Sequence, residues 1–426
     1  MRHVDVIEVR IWGNRVGAVA LDPRLGAYAF GYDPAWLKTG IELAPLTMPA
    51  RGYRGPFAFP DLPKPSFRGL PGMIADALPD DFGNALIDAW MAAKGVARDE
   101  VTALDRLAYM GRRGMGALEF RPVRGATRES SEPLEMKSLV EAARRALRGD
   151  LTGDREAQAA LANIIRVGAS AGGARAKAVV GWNPATGDIR SGQFDLPPGF
   201  EHWLLKFDGV GKDDKLGPGA DYGRIEYAYH LMARAAGITM TPCRLLEENG
   251  RAHFMTRRFD RDANEKHHIQ SLCALDHLDF KQRATHSCAQ VFLAASRLGL
   301  DDAAFREIFR RMALNVMARN CDDHTRNIAF RLKRNAAWEL APAFDITHAH
   351  NPKGEWTQQH MLSVNGKFDG ISRADLLADA DRFGVRRPKE ILSEVREALS
   401  RWAGFAEKAG LRGAQSDRIE RDFAPV

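Results

Sequence analysis

Residues 315–330 read NVMARNCDDHTRNIAF, so that three polar side chains, Asp322, Asp323 and His324, stand side by side. A helical pattern precedes this stretch and an apolar strand pattern follows it, which puts the cluster on a loop held between regular elements. Asp322 and Asn327 are five positions apart. This is the D-x-x-x-x-N spacing of phosphoryl-transfer loops, in which the Asp accepts a hydroxyl proton and the Asn holds a metal ion. We therefore predict Asp322 as the catalytic base and Asn327 as a metal ligand, whereas Asp323 has the wrong offset.

A purely structural alternative is that the loop is an acidic turn capping the helical pattern over residues 303–319. Two carboxylates beside the negative end of a helix are electrostatically unfavourable. The sequence therefore favours a catalytic loop over a capping turn.

A second aspartate follows closely, in WELAPAFDITHAH, where a short apolar strand ends in Phe344-Asp345. An aspartate at the end of a strand soon after a catalytic loop is where such enzymes keep a further metal ligand. No glycine follows Asp345, and an isolated aspartate after a strand is also typical of a turn. Together with the upstream loop, we predict that Asp345 and Asn327 hold a divalent metal ion.

Lys206 lies inside the apolar strand pattern HWLLKFDG. An ammonium group between large apolar residues needs an anionic partner, so we predict that Lys206 contacts nucleotide phosphates. Glu226, on the next helical pattern, is a candidate partner for this lysine. The alternation of the strand also permits an edge lysine that points to water.

The small-residue stretch GASAGGARAK, residues 168–177, precedes the apolar strand AVVGW. Small residues let backbone N–H groups approach phosphates closely, and a lysine adds charge. The stretch matches neither the Walker A pattern nor G-x-G-x-x-G, so a flexible turn is the alternative. The candidate nucleotide-binding residues here are Gly172, Gly173, Ala174, Arg175, Ala176 and Lys177. The hydroxyl of Ser170 lies within reach of the same phosphates.

Composition sets the outer limits. The chain has 426 residues, of which 45% are hydrophobic and 27% charged, as in globular proteins and unlike disordered ones. No apolar run approaches membrane-spanning length, and the N-terminus lacks a signal-peptide pattern, so we expect a soluble, cytoplasmic protein. The net charge of +6 comes without a dense Lys/Arg tract, which does not indicate direct DNA binding.

The cysteines and paired histidines do not suggest a metal centre. The four cysteines have no CxxC spacing, so we expect them to be reduced and buried. His267-His268 and His348-x-His350 have no carboxylate or cysteine at a ligand spacing. We interpret them as solvated loop histidines.

Along the chain, strand and hairpin patterns dominate the N-terminal part, with a tight turn expected at Gly13-Asn14 and a second hairpin at Asn249-Gly250. Beyond Asp260 the patterns become mainly helical, ending in one helix that begins at Pro388. We predict an α+β fold of two lobes, like a protein kinase, with an extra N-terminal α+β subdomain. The expected segments are residues 1–127 (N-terminal subdomain), 128–259 (sheet-containing nucleotide-binding lobe) and 260–426 (helical catalytic lobe).

The chain resembles the HipA-type toxin serine/threonine kinases of bacterial toxin–antitoxin modules. The resemblance spans nearly the whole chain and rests on several segments. These are GLPGMIADALPDDFGNALID, RLAYMGRRGMGALEF, SAGGARAK, HWLLKFDG, RRFDR, NCDDHTRN and LAPAFD. It implies an ATP- and Mg²⁺-dependent kinase that phosphorylates a protein on serine or threonine, with aminoacyl-tRNA synthetases among the family's substrates.

The resemblance also assigns roles to residues. Asp322 matches the catalytic base, and His324 and Asn327 lie in the same nucleotide-binding loop. Arg257 and Phe259 fall at the hinge that meets adenine. Ser170 matches the serine whose autophosphorylation switches the kinase off.

Two departures from the family pattern concern the nucleotide site. The phosphate loop ends in Arg175-Ala176-Lys177 in place of Gln-x-Lys, and Arg257 stands where the family has an acidic hinge residue. Both departures bear on how the nucleotide is held.

The family's partner is a small DNA-binding antitoxin of the HipB type, so we expect this chain to meet DNA only indirectly. One alternative function is a catalytically silent kinase-like subunit acting in an antitoxin–DNA complex. Another is a small-molecule or lipid kinase that uses the same phosphate chemistry.

Overall fold

The computed structural model describes residues 3–124, 131–147, 161–162, 164–165, 176–209, 221–411, 413–424 and 426. Two compact units account for the chain. The first comprises Met1–Lys212, Met255–Gln270 and Leu332–Ala336, and the second comprises Asp213–Phe254, Ser271–Arg331 and Ala337–Val426. The three segments expected from the sequence remain a prediction.

The helices, numbered in chain order, are mostly short in the first unit and longer in the second. They are α1 Pro34–Leu37, α2 Lys64–Phe67, α3 Gly72–Ala75, α4 Asp81–Ala92, α5 Ala103–Met110, α6 Met136–Leu147, α7 Tyr222–Ala235, α8 Leu272–Leu275, α9 Cys288–Arg297, α10 Asp302–Met317, α11 Arg373–Arg382, α12 Pro388–Ser400, α13 Trp402–Lys408 and α14 Ala414–Asp422. Short 3₁₀ turns cover Arg98–Glu100 and Thr325–Asn327. None of the helices in the described ranges is long and apolar enough to span a bilayer.

The strands are also numbered in chain order. They are β1 Val6–Ile11, β2 Asn14–Asp22, β3 Ala27–Tyr32, β4 Leu118–Arg121, β5 Lys177–Trp182, β6 Ile189–Ser191, β7 Glu201–Lys206, β8 Cys243–Glu248, β9 Arg251–Arg257, β10 Arg261–Asp262, β11 Glu265–Lys266, β12 His268–Ser271, β13 His286–Ser287, β14 Ala329–Leu332, β15 Trp338–Leu340 and β16 Leu362–Ser363.

The first unit begins with an antiparallel sheet in the order β3-β2-β1-β4. Ile7, Val9 and Ile11 are fully buried on one face of β1, as the alternation of the sequence predicts. The turn between β1 and β2 lies one residue earlier than expected, since Ile11 pairs with Asn14. Its central residues, Trp12 and Gly13, both have positive φ, which a two-residue type I′ turn requires.

A second sheet of the first unit has the order β6-β5-β7 and continues to β9, whose last residues belong to this unit. The strands β5 and β7 are antiparallel, and their register runs from Lys177↔Lys206 to Trp182↔Glu201. Every residue of β5 is buried, as expected for a strand covered on both faces. Lys177, expected at the end of the glycine loop, is thus the first residue of a strand.

In the second unit, β8 and the start of β9 form a hairpin around Asn249 and Gly250, both with positive φ. This confirms the turn predicted from the Asn-Gly pair. Strands β13 and β16 pair in parallel through His286↔Leu362 and Ser287↔Ser363.

Aromatic contacts hold the helices of the second unit together. Phe292 of α9 stacks on Phe383 with ring centroids 4.6 Å apart, and Tyr229 of α7 meets Trp402 edge-on at 5.4 Å. The C-terminal helix predicted from Pro388 onwards is divided into α12 and α13, because Arg401 has non-helical dihedrals of φ −99° and ψ 12°.

Candidate active site

The loop that carries Asp322, Asp323 and His324 starts where α10 ends. After Met317, Arg319 adopts a positive φ of 53° and turns the chain away from the helix axis. The carbonyl of Ala318 accepts a hydrogen bond from the Tyr229 hydroxyl at 2.6 Å, and the carbonyl of Met317 accepts one from the backbone N–H of Ala424 at 2.9 Å. The backbone N–H of Asn320 also donates to the Asn315 carbonyl at 2.9 Å, so the helix end is satisfied without the carboxylates of Asp322 and Asp323.

Asp322 and Asn327 are linked within this loop. Asn327 Nδ2 donates to the backbone carbonyl of Asp322 at 2.8 Å. The side chain of Asp322 is 49% exposed, and its Oδ1 lies 3.8 Å from His324 Nε2. Because the amide nitrogen of Asn327 is used to hold the loop, its Oδ1 remains as the acceptor atom.

Asp323 is placed differently, although it is the next residue. It is buried, and its carboxylate accepts hydrogen bonds from His360 Nδ1 at 3.0 Å and from the backbone N–H of Met361 at 2.8 Å. Burial disfavours the imidazolium of His360, but the charge and hydrogen bond of Asp323 outweigh burial and raise the pKa of His360 to about 10. Asp323 therefore anchors the loop to the segment around residue 360.

The segment that carries Asp345 is bonded to the same loop. The backbone N–H of Cys321 donates to the carbonyl of Ala349 at 3.1 Å, and the N–H of Ala349 donates to the carbonyl of Arg319 at 3.2 Å. Asp345 has a positive φ of 54°, a conformation that bulky residues rarely adopt. The structure thus brings the Asp322 and Asp345 segments together, 23 positions apart in sequence.

A cavity of about 50 Å³ opens between these segments. Its walls are mainly apolar, and its polar lining residues include Asn315, Asn320, Asp323, Asn327 and Asp345. Asn327 and Asp345, the predicted metal ligands, therefore share one cavity.

The donor set suits a hard cation. Mg²⁺ takes oxygen ligands, commonly one or two carboxylates together with substrate phosphates and water. Asn327 and Asp345, which line one cavity, carry an amide oxygen and a carboxylate of this kind. Among the residues that the structure describes, no group of three or more His, Cys, Asp or Glu side chains is arranged to hold a metal. The residues thus fit a Mg²⁺ ion shared with phosphate oxygens better than a protein-only metal site.

The first unit holds the two predicted phosphate-binding lysines. Lys177 and Lys206 are directly opposite each other on β5 and β7, and both are buried. Opposite residues of an antiparallel pair point to the same face, and like charges there repel each other. The sequence placed Lys177 correctly beside the strand but gave no sign of its register with Lys206.

The segment RRFDR, residues 257–261, contains an ionic cluster that the sequence analysis missed. Asp260 is fully buried. It accepts two hydrogen bonds from Arg258, at 2.9 and 2.7 Å, and one from Arg261 at 2.7 Å. The backbone N–H of Gly116 donates to it at 2.7 Å. Burial raises the pKa of Asp260, but the two guanidinium groups outweigh burial and lower it. The repeated arginines around one aspartate were the available signal.

The two hinge candidates, Arg257 and Phe259, are sequence neighbours of Arg258, a member of this cluster. The side chain of Arg257 is 46% exposed, with its Nη1 3.6 Å from Glu201 Oε1. Phe259 is half-buried. Among the remaining candidates, Ala176 is buried, and Glu226 is buried on α7 of the second unit. Ser170 and residues 172–175 lie outside the described residues.

The interpretation of the paired histidines as solvated is wrong. His267 and His268 are buried, and His267 Nε2 lies 2.8 Å from Asp262 Oδ2. His348 Nε2 lies 2.9 Å from Asp422 Oδ2, and His350 Nδ1 lies 3.6 Å from the same oxygen. The carboxylate partner of the second pair is remote in sequence, so local spacing could not reveal it. Of the four cysteines, three are buried and Cys243 is half-buried, and all are free thiols.

Comparisons with known proteins agree with this architecture. Residues 7–121 match the model of the HipA N-terminal domain, and residues 169–403 match the model of the HipA-like C-terminal domain. The second model alone matches more than half of the chain, and together the two models include residues of both units.

Among solved structures, the chain is similar to HipA of Shewanella oneidensis MR-1 in the complex of HipA, HipB and operator DNA. The TM-score is 0.66 at 16% identity, covering 97% of this chain and 94% of that one. The α+β fold of the HipA type predicted from the sequence is confirmed.

A second similarity, to the proinflammatory kinase CtkA of Helicobacter pylori, has a TM-score of 0.33 at 12% identity. It covers 52% of this chain and 88% of that one, and it is too weak to support an argument. No match was found among curated proteins.

Proposed function

Because the chain belongs to the HipA family, we propose that it is an ATP- and Mg²⁺-dependent kinase that transfers the γ-phosphate to a serine or threonine of a protein. The observation that carries the proposal is the bond from Asn327 to Asp322, because Asn327 lines the same cavity as Asp345. The arrangement combines the half-exposed carboxylate of Asp322 with Asn327 and Asp345, whose side-chain oxygens are of the type that binds magnesium.

In this mechanism Asp322 accepts the proton of the attacking hydroxyl at its carboxylate. Its half-exposed position gives a substrate hydroxyl access to it. The Asn327 side chain donates to the Asp322 backbone carbonyl and so fixes the loop. The Asp322 carboxylate is therefore positioned before the reaction begins. Asn327 Oδ1 and Asp345 would hold a Mg²⁺ ion, which would neutralise negative charge on the phosphates.

Lys177 and Lys206 contribute positive charge for the phosphates. Their register on adjacent strands concentrates two ammonium groups on one face. We propose that the residues 172–177 form the rest of the phosphate loop and that Arg257 and Phe259 lie at the adenine end. Autophosphorylation of Ser170 as an off-switch is part of the same proposal.

The test is intact-mass analysis and peptide mapping after incubation with Mg·ATP. The wild type should gain phosphate on Ser170. The variant Asp322→Asn should lose phosphoryl transfer by about 10²–10⁴-fold, the usual contribution of a general base. Asp302→Asn is a matched control, since Asp302 is 39% exposed, in the same unit, and outside the loop.

Transfer that persists in Asp322→Asn would remove Asp322 as the base. An unmodified wild type that still binds ATP tightly would favour the silent-subunit alternative. A wild type that does not bind ATP would contradict the kinase proposal as a whole.

We further propose that the partner is a small DNA-binding antitoxin of the HipB type. The support is the likeness to a HipA structure determined together with HipB and operator DNA. The lone protein is then expected to bind duplex DNA weakly and to be retained on it only with the antitoxin. Tight binding by the lone protein with a steep salt dependence would contradict the indirect contact.

A further inference from the structure

A basic and aromatic surface lies beside the catalytic loop, and the mechanism above does not use it. The ring of Phe280 contacts His324 edge-on, with centroids 5.3 Å apart. The guanidinium of Arg326 lies 5.3 Å from the centroid of the same ring, and the ammonium of Lys281 lies 5.7 Å from it. One ring thus carries two cations next to the residue that faces Asp322.

A second cation–aromatic pair belongs to the same region. Arg283 lies over the ring of Trp356 at 6.0 Å. Trp356 is 41% exposed and is one of the few large hydrophobic side chains that face solvent. An exposed tryptophan beside an arginine is the composition that protein-binding sites favour.

Both segments that carry these pairs are anchored to the catalytic loop. Thr325 Oγ1 donates to the carbonyl of Leu278 at 2.7 Å, just before Phe280. Asp323 binds His360 and Met361, just after Trp356. The surface is therefore held in position relative to Asp322.

The surface has an excess of positive charge. Its cations are Lys281, Arg283 and Arg326, each placed by a ring contact, and the exposed Lys353 lies three residues before Trp356 in the sequence. The nearby Asp276 is bonded by Arg297 at 2.9 Å, and Asp279 is buried and accepts the backbone N–H of Lys281. The carboxylates at this surface are Glu355, which is exposed in the segment 351–357, and the half-exposed Asp322, whose Oδ1 lies 3.8 Å from His324. A ligand that carries carboxylates complements such a surface.

We propose that this surface, made by Phe280, Arg283, Arg326 and Trp356, binds an acidic segment of the protein whose hydroxyl is phosphorylated. The inference rests on the proposed kinase function and adds a substrate class to it. The rings already carry cations on their faces, which favours carboxylates paired with arginine over nucleobases that need an open ring for stacking.

The test measures binding directly, so that it does not depend on catalysis. Three fluorescein-labelled probes are compared by anisotropy: a serine peptide flanked by glutamates, the same peptide with glutamines, and a single-stranded oligouridine. The wild type should bind the glutamate peptide about tenfold more tightly than the glutamine peptide at low ionic strength, and the preference should shrink at high salt.

The decisive variant is Arg283→Glu, which should abolish the preference for glutamate, while Arg283→Lys retains most of it. Lys389→Glu is the matched control, because it makes the same charge change at an exposed residue of α12. Thermal midpoints of all variants verify folding. Trp356→Ala should weaken binding of both peptides without changing their ratio.

Equal binding of the two peptides, or a preference that survives Arg283→Glu, would overturn the proposal. Oligouridine binding that is lost in Arg283→Glu would reassign the surface to nucleic acid. Phosphorylation of both peptides is measured in parallel. Its complete absence would contradict the kinase proposal, while the binding ratio would still decide the role of the surface.

Discussion

Two charge-rich segments of the chain, RRFDR at 257–261 and DDHTRN at 322–327, use their charges in opposite ways. In the first, Asp260 is fully buried and receives four hydrogen bonds, from Arg258, Arg261 and the backbone of Gly116. In the second, Asp322 is half-exposed, with an imidazole at 3.8 Å. A carboxylate that the protein itself has neutralised holds the fold, whereas a half-exposed carboxylate can be reached from solvent.

The DDHTRN segment contains the same contrast on a smaller scale. Asp323 is buried on His360 and the backbone of Met361, and the next residue on its N-terminal side is Asp322. Two successive aspartates therefore differ in role: Asp323 anchors the loop, and Asp322 is half-exposed to solvent.

The largest effect on stability is expected from Asp260→Asn. The substitution leaves two buried guanidinium groups without their counter-charge, and breaking such a buried pair costs about 3–5 kcal/mol. Unfolding of the variant and of the wild type in guanidinium chloride measures the difference in their free energies of unfolding. Glu265→Gln is the neighbouring control, since Glu265 is exposed and surface substitutions usually change stability by about 0.5 kcal/mol or less. A loss for Asp260→Asn no larger than the control would refute the anchoring role.

A smaller and pH-dependent effect is expected from His360→Gln. The pKa of His360 is raised from 6.5 to about 10 in the folded protein. Protonated His360 therefore stabilises the fold fully below pH 6.5, and this contribution disappears as the pH rises towards 10. Unfolding midpoints of the wild type should fall over this window, and the variant should lie lower near neutral pH with a flatter profile. Parallel profiles for both proteins would contradict the buried pair with Asp323.

The smallest effect on stability is expected from Asp322→Asn, the variant for which we propose the largest loss of phosphoryl transfer. A half-exposed side chain outside a buried network changes the free energy of unfolding by less than about 0.5 kcal/mol. The same denaturation assay measures it. A loss comparable to that of Asp260→Asn would mean that Asp322 is also structural and would end the contrast between the two segments.

The fold was predictable where the signal is local. The Asn249-Gly250 pair supplies both residues that tolerate positive φ, and the hairpin forms there. At the N-terminus the turn was predicted at Gly13-Asn14 but lies at Trp12-Gly13. The register of β1 with β2 pairs Ile11 with Asn14 and so leaves Trp12 and Gly13 as the two central residues of the turn. The break at Arg401 was not visible, since the apolar repeat continues through it into Trp402.

For the site, the sequence supplied the spacing of the residues but could not give their partners. The D-x-x-x-x-N spacing identified Asp322 and Asn327, which the structure joins by a hydrogen bond. The partner of Asp323 is His360, 37 positions away, and that of His348 is Asp422, 74 positions away. Contacts of this kind arise from tertiary packing and leave no local pattern.

The left-handed backbone of Asp345, with φ 54°, has a practical consequence for capturing the proposed acceptor protein from cells. If Asp345 holds the metal as proposed, an inactive bait must lose charge at this position and keep the backbone conformation. Left-handed geometry costs most residues about 1–2 kcal/mol, and asparagine is among the few that adopt it readily. Asp345→Asn is therefore a better trapping reagent than Asp345→Ala, because it removes the charge and preserves the turn.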